Sequence, residues 1–122
     1  MVTEQRFEGL PIYQLAERLS DQVWVMVAPW PTFEKETVGK PLIAAADQIG
    51  LSLISGHGQA TVQEARQALR TACVAFNQTR HWLRRAYRRR LIDENRIRTL
   101  GPLVRDLSAE LGLRWRATLP GE

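Results

Sequence analysis

The sequence predicts an all-α protein, an up-down antiparallel four-helix bundle, on three observations. Four segments repeat apolar residues at alternating spacings of three and four, the seam of an amphipathic helix. The breaks between them are short, and the first two carry proline or glycine. The strand candidate, Val23 to Val27, fits a helical pattern equally well. A three-helix DNA-binding module and a solenoid fit less well, because there is no separate recognition helix and no repeat at a fixed period.

The first helix is expected over about residues 11–28, with Pro11 in the first turn and Ile12, Ala16, Leu19, Val23 and Met26 on one face. Pro29 and Pro31 end it by removing N–H donors and by pushing the preceding residues out of the α region. The second is expected over about 33–55, with Glu34 and Glu36 at its positive end and Pro41 as either a kink or the true start. Val38, Leu42, Ala45, Ile49 and Leu53 form its seam. Ala44, Ala45, Ala46, Gly50 and Ser52 are small enough to let a neighbouring backbone come close.

Gly56-His57-Gly58 reads as the turn that follows. Thr61-Val62-Gln63-Glu64 is a capping-box pattern, and Val62, Ala65, Leu69, Ala72, Phe76, Thr79, Leu83 and Ala86 then keep a strict repeat through a third helix of about 61–90. Asp93 is suited to cap a fourth helix, about 94–111, with Ile97, Leu100, Val104, Leu107 and Leu111 on its seam. Gly112-Leu113 suits a Schellman ending, which leaves 114–122 as a tail.

A chain of 122 residues, 44% hydrophobic and 25% charged, is one domain's worth of ordinary globular composition. Its longest apolar run, Val23 to Trp30, is less than half of what crosses a bilayer, and Met1 to Leu10 lacks the apolar stretch of a signal peptide. Cys73 has no second cysteine to pair with. The expectation is a cytoplasmic protein that does not enter a membrane.

Charge is more informative. The formal net charge is +4, but residues 1–61 carry −3 and residues 62–122 carry +7. Fifteen of the seventeen cations are arginine, the side chain whose planar fork suits phosphate and carboxylate. Between Ala65 and Ile92 there are eight arginines and no acid. On a helical wheel Gln63, Arg66, Arg70, Asn77, His81, Arg84 and Arg88 form a stripe roughly opposite the seam, flanked by Arg85 and Arg89. Arg66, Arg70, Arg84 and Arg88 are expected as central phosphate contacts, with Arg80, Arg85, Arg89 and Arg90 flanking and His81 as a further donor. A solvated face would mix the two signs, whereas Arg84/Arg88 and Arg85/Arg89 are like-charged i,i+4 pairs that cost about 0.2–0.5 kcal/mol each. Two other uses of the stripe stay open: neutralisation by the acidic half of this chain or of a neighbouring subunit, and docking to an acidic protein or lipid surface. Trp82, Tyr87 and Trp115 lie near arginines and are suited either to stack on bases or to pack at the core edge.

No catalytic constellation is legible. His57 has no acid placed locally to orient it, Gly56-His57-Gly58 lacks the lysine of a phosphate loop, and two histidines with one thiol make a poor metal site. The chain is expected to be no enzyme and to hold no cofactor or metal. Cys73 is expected at the core edge, with an arginine-rich helix that tends to lower a thiol pKa.

The order of segments resembles the four-helix-bundle family first known as 23S rRNA intervening-sequence proteins. Leu10-Pro11-Ile12-Tyr13-Gln14-Leu15-Ala16 is similar to that family's opening, and Pro31 with Glu34 to the start of its second helix. The run from Ala45 to Gly58 is similar to its central motif of paired alanines, Ser-Ile, Asn-Ile-Ala-Glu-Gly and a following glycine. Ala72 to Leu91, with Trp82-Leu83 and Ala86, is like its third helix. Ser52 stands where the family has Asn, Ser55 where it has Glu, Gln48 where it has Ser and Ala44 where it often has Arg. The resemblance covers about residues 7–112 and implies an up-down bundle that assembles as a barrel-like homopentamer. It also implies kinship with the accessory variability determinant of diversity-generating retroelements, a basic pentamer that partners a reverse transcriptase and nucleic acid. It offers no catalytic residue.

Overall fold

The computed structural model describes residues 6–58 and 61–119, and every regular element among them is helical. A single 3-10 turn, Phe7–Gly9, leads into α1 (Pro11–Val27). Pro11 occupies the first turn, where an N–H would have no intrahelical partner.

The second rod, α2, runs through three consecutive parts: Thr32–Glu34, a wide π-helical turn over Lys35–Gly39, and Lys40–Gly56. Pro41 explains the middle part. It has no N–H to give to the ladder and its ring crowds the carbonyl one turn back. In the π turn before it, the Lys40 N–H reaches back to the Lys35 carbonyl, so the proline changes the pitch of the helix and does not start it. The rod ends where expected, with His57 as C-cap and Gly58 at φ +79°, a region open to glycine without strain.

Helix α3 (Val62–Arg88) begins at Thr61, whose hydroxyl accepts the Glu64 N–H at 3.1 Å. Helix α4 (Glu94–Ala117) begins at Asp93, which accepts the Arg96 N–H at 2.8 Å. Both caps were legible from residue type alone.

The expected seams form one core. Ile12, Ala16, Leu19, Val23 and Met26 are buried, as are Val38, Leu42, Ala45 and Ile49, then Leu69, Ala72, Phe76, Thr79 and Ala86, and finally Leu100, Leu107 and Leu111. Leu53, Ala65, Leu83, Ile97 and Val104 are half-buried, and Val62, in the first turn of α3, is 74% exposed. Helix α1 packs on α2 and α4, α2 packs most extensively on α3, and α3 meets α4 least. The α2–α3 pair is close because both surfaces are small. A Cβ on Gly56 would stand 3.0 Å from that of Ala68, and Ala45 and Ala46 on α2 and Ala72 and Ala75 on α3 are all buried. Ser20 on α1 donates a hydrogen bond to Asp47, and Gly50 leaves room for the Tyr13 ring.

Two boundaries depart from expectation. The third helix was predicted to reach residue 90, but its regular part stops at Arg88. The Arg90 N–H then bonds the Tyr87 carbonyl and the Leu91 N–H bonds the Ala86 carbonyl, which is a Schellman ending. Its left-handed residue is Arg90, at φ 62°, and not a glycine. The fourth helix was predicted to close at Gly112. It runs to Ala117, because Trp115 extends the Leu107, Leu111 spacing by one more turn and packs on the core, offsetting the roughly 1 kcal/mol that a mid-helix glycine costs. The supposed tail is therefore helical through its first four residues. Pro102 also lies inside α4, on an exposed face where water can satisfy the carbonyl it leaves unbonded.

Two substitutions test this packing. A Cβ at buried Gly39 would lie 2.6 Å from Cγ1 of Val27, a stiff and fully packed side chain. Gly39→Ala is therefore expected to destabilise by about 1–2 kcal/mol despite its better helix propensity, read as a lower urea midpoint. Arg90→Gly relieves a left-handed arginine and is expected to stabilise by about 0.5–1 kcal/mol on the same measurement, with Arg90→Ala showing no gain.

Candidate nucleic-acid interface

The seam of α3 turns its arginines outward and sideways, and the contacts of α4 then divide them into two groups. Arg66 and Arg70 lean onto the Trp115 ring, their guanidinium carbons 5.0 and 5.8 Å from its centroid. Each such contact is worth about 0.5–1 kcal/mol at an exposed site, so this pair helps to hold the last turns of α4. Ten residues later, about 15 Å along the axis, the second group begins. Arg80 lies 5.9 Å from the Phe76 centroid, and His81 meets Trp82 edge-on at 5.2 Å. Arg84 and Arg88 are exposed and Arg85 is half-buried.

Arg89 and Arg90 lie past the end of the helix. The Schellman turn breaks the register that was expected to carry them along the stripe, so they project from the bundle end. The predicted residues thus form a stacked pair and a terminal cluster, not one continuous row.

No carboxylate among the described residues comes within 4.0 Å of any of these arginines or of His81. The ion pairs among the described residues are Lys40–Glu36 at 2.7 Å and Arg105–Asp106 at 3.5 Å. Eight guanidinium groups without an acid partner leave a cationic surface along α3 and its end.

Helix α4 adds cations that sequence reasoning missed. Arg105 lines the open groove between α3 and α4 together with Arg80, Arg84 and Tyr87, above a floor that includes Leu83, Ile97, Leu100 and Val104. Arg114 lines a hollow of about 320 Å³ at the other end of the bundle, with Leu10, Ser52, Leu53 and Leu69. A weak signal existed, since Arg98 and Arg105 are seven residues apart and share a helical face, but which face meets α3 depends on how the rods pack.

The opposite pole is acidic. Glu17, Asp21 and Asp47 line a hollow between α1 and α2 beside Tyr13. The Tyr13 phenol is raised above its ordinary value, first by burial and then by Glu17, with Glu8 and Asp21 adding to it.

This helical order and its motifs correspond to a known sequence family. The profile described as 23S rRNA-intervening sequence protein matches residues 8–112. The chain belongs to the 23S rRNA-intervening sequence protein family. No curated protein matches it. In this member the family's region takes in all of α1, α2 and α3 and α4 as far as Gly112, so the second cluster of arginines lies inside it, while Trp115 lies beyond it.

Three other expectations are now placed. Trp82 and Trp115 pack at the edge of the core, whereas Tyr87 is 49% exposed. No described helix is long and apolar enough to cross a membrane. Cys73 is half-buried at the core edge as expected, but burial pushes its thiol up, the reverse of the lowering expected from neighbouring arginines. A raised pKa means less thiolate at a given pH. Cys73 is accordingly expected to react with a thiol-specific disulfide reagent at pH 8 more slowly than free cysteine, and at the free rate after denaturation, monitored by absorbance.

Proposed function

We propose that this protein is a non-enzymatic, oligomeric member of its family that binds nucleic acid through the phosphate backbone, using the arginines of α3, as an accessory to a process centred on ribosomal RNA or on a reverse transcriptase. The observation that carries this reading is the set of guanidinium groups on α3 and at its end with no carboxylate within 4.0 Å among the described residues. Repulsion within the terminal cluster favours a polyanion as its partner. Family membership adds an association with ribosomal RNA at the level of the family's description. The second cluster, Arg80 to Arg90, is the stronger candidate, because Arg66 and Arg70 already stack on Trp115.

The same proposal takes the bundle as up-down and antiparallel, which the hollow at one bundle end supports: it is lined by the start of α1, the end of α2, the start of α3 and the end of α4. It takes the assembly as a homopentamer, which rests on the family resemblance, and its compartment as the cytoplasm. No sequence-specific readout is proposed, since the contacts available are guanidinium groups suited to phosphate.

A second reading is favoured by the acidic hollow between α1 and α2. In it, α3 of one subunit faces the acidic hollow of the next and its arginines serve assembly. Replacing Arg84 and Arg88 together by Glu separates the two. Loss of RNA or DNA binding with the oligomer intact supports the first reading, and dissociation on a sizing column with light scattering supports the second.

The wild-type protein gives a further check. If about four phosphates are neutralised per subunit, log K is expected to fall with log salt at a slope of about −3 to −4, measured by fluorescence anisotropy. A flat response removes the electrostatic reading.

A further inference from the structure

We propose that the groove between the C-terminal half of α3 and the first half of α4 is a site for an unpaired nucleotide, with Tyr87 as the platform on which its base stacks. The inference rests on the nucleic-acid reading above and narrows it from a polyanion to single-stranded nucleic acid. Its independent support is the shape and chemistry of this open groove, which offers about 570 Å³, a volume within the range of small-molecule sites.

The floor is apolar, with Leu83, Ile97, Leu100 and Val104. It is open because α3 and α4 are the least closely packed of the neighbouring helices, and Gly101 adds no side chain. The rim is cationic: Arg80 and Arg84 come from α3 and Arg105 from α4. A second hollow shares Tyr87 and Ile92 with this one, and Arg88 and Arg90 line it. Tyr87 therefore has guanidinium groups in the lining of both hollows.

Duplex nucleic acid keeps its bases stacked inside and meets a protein with phosphate alone unless an element enters a groove. An apolar trough walled by an aromatic ring is of no use to it. A splayed nucleotide matches both parts, an apolar π-face for the ring and floor, and phosphates on either side for the arginines. Arg84 and Arg88 are one helical turn, about 6 Å, apart along the axis and lie on either side of Tyr87 in the sequence. Of the aromatic residues on α3, Phe76 is buried and Trp82 is packed at the core edge, so Tyr87, at 49% exposure, is the ring that can receive a base. Glu94 borders the groove against three arginines, of which Arg105 is also paired with Asp106 at 3.5 Å, and Asp93, which borders the second hollow, is engaged as the cap of α4.

The test compares the affinity of the protein for a labelled oligouridylate and for a blunt RNA duplex of the same length at one salt concentration, in wild type, Tyr87→Ala and Tyr87→Phe. The expected result is that Tyr87→Ala weakens oligouridylate binding about 5- to 150-fold, leaves duplex binding unchanged, and that Tyr87→Phe keeps wild-type affinity for both. Circular dichroism of the Ala variant should match wild type, since the ring is half exposed. An unchanged oligouridylate affinity in Tyr87→Ala, or equal weakening of both ligands, overturns the stacking site while leaving electrostatic binding in place. Absence of binding to either ligand in wild type overturns the function proposed above and this site with it. Capture of an acidic amphipathic peptide in the groove, with oligouridylate unable to displace it, overturns the assignment of the groove to a nucleotide.

Discussion

The close contact between α2 and α3 sets the orientation of everything that matters on the third rod. With Gly56 against Ala68, and with Ala72 and Ala75 buried, α3 has little freedom to roll about its axis. Interiors at crystal-like density do not tolerate such a rotation without opening a cavity or forcing an overlap. The arginines of α3 therefore take whatever directions remain: toward Trp115 near the start of the helix, and toward the α4 groove and open solvent near its end.

That constraint produces a bundle with two electrical poles. The acids of the N-terminal half gather on α1 and α2 around Tyr13, and the cations gather on α3 and α4. Although α2 packs on α3 and α1 on α4, no ion pair among the described residues joins an acid of α1 or α2 to a cation of α3 or α4. The cations of α3 are therefore left to solvent in the isolated subunit, a surface that suits an acidic partner of any kind.

Proline and arginine occupy positions that a simple propensity argument assigns to glycine or to a helix end. Pro41 is accommodated by a π turn, Pro102 by solvent on an exposed face, and Arg90 sits in a left-handed conformation at the end of α3. The last of these places two guanidinium groups beyond the helix, which continues the cationic surface past the end of the rod. A glycine there is favoured for stability and lacks that charge, an exchange of the kind found where a surface is kept for binding.

Spacing and capping residues determined the four helices, their seams and all four starts to within one residue, because burial of one face and satisfaction of terminal N–H groups are local demands that a chain states in its own order. The ends of α3 and α4 were decided elsewhere. Gly112 carries a local stop, but it lost to the packing of Trp115, whose ring lies beneath Arg66 and Arg70, more than forty residues away in the sequence. The arginines of α3 were visible as candidates, whereas Arg105 and the groove it borders were not. A wheel drawn for one helix gives the direction of each side chain relative to its own axis. Which cations end up facing one another across a groove, and whether a carboxylate comes within reach, depends on how neighbouring helices rotate into contact, and that is a property of the packed core alone.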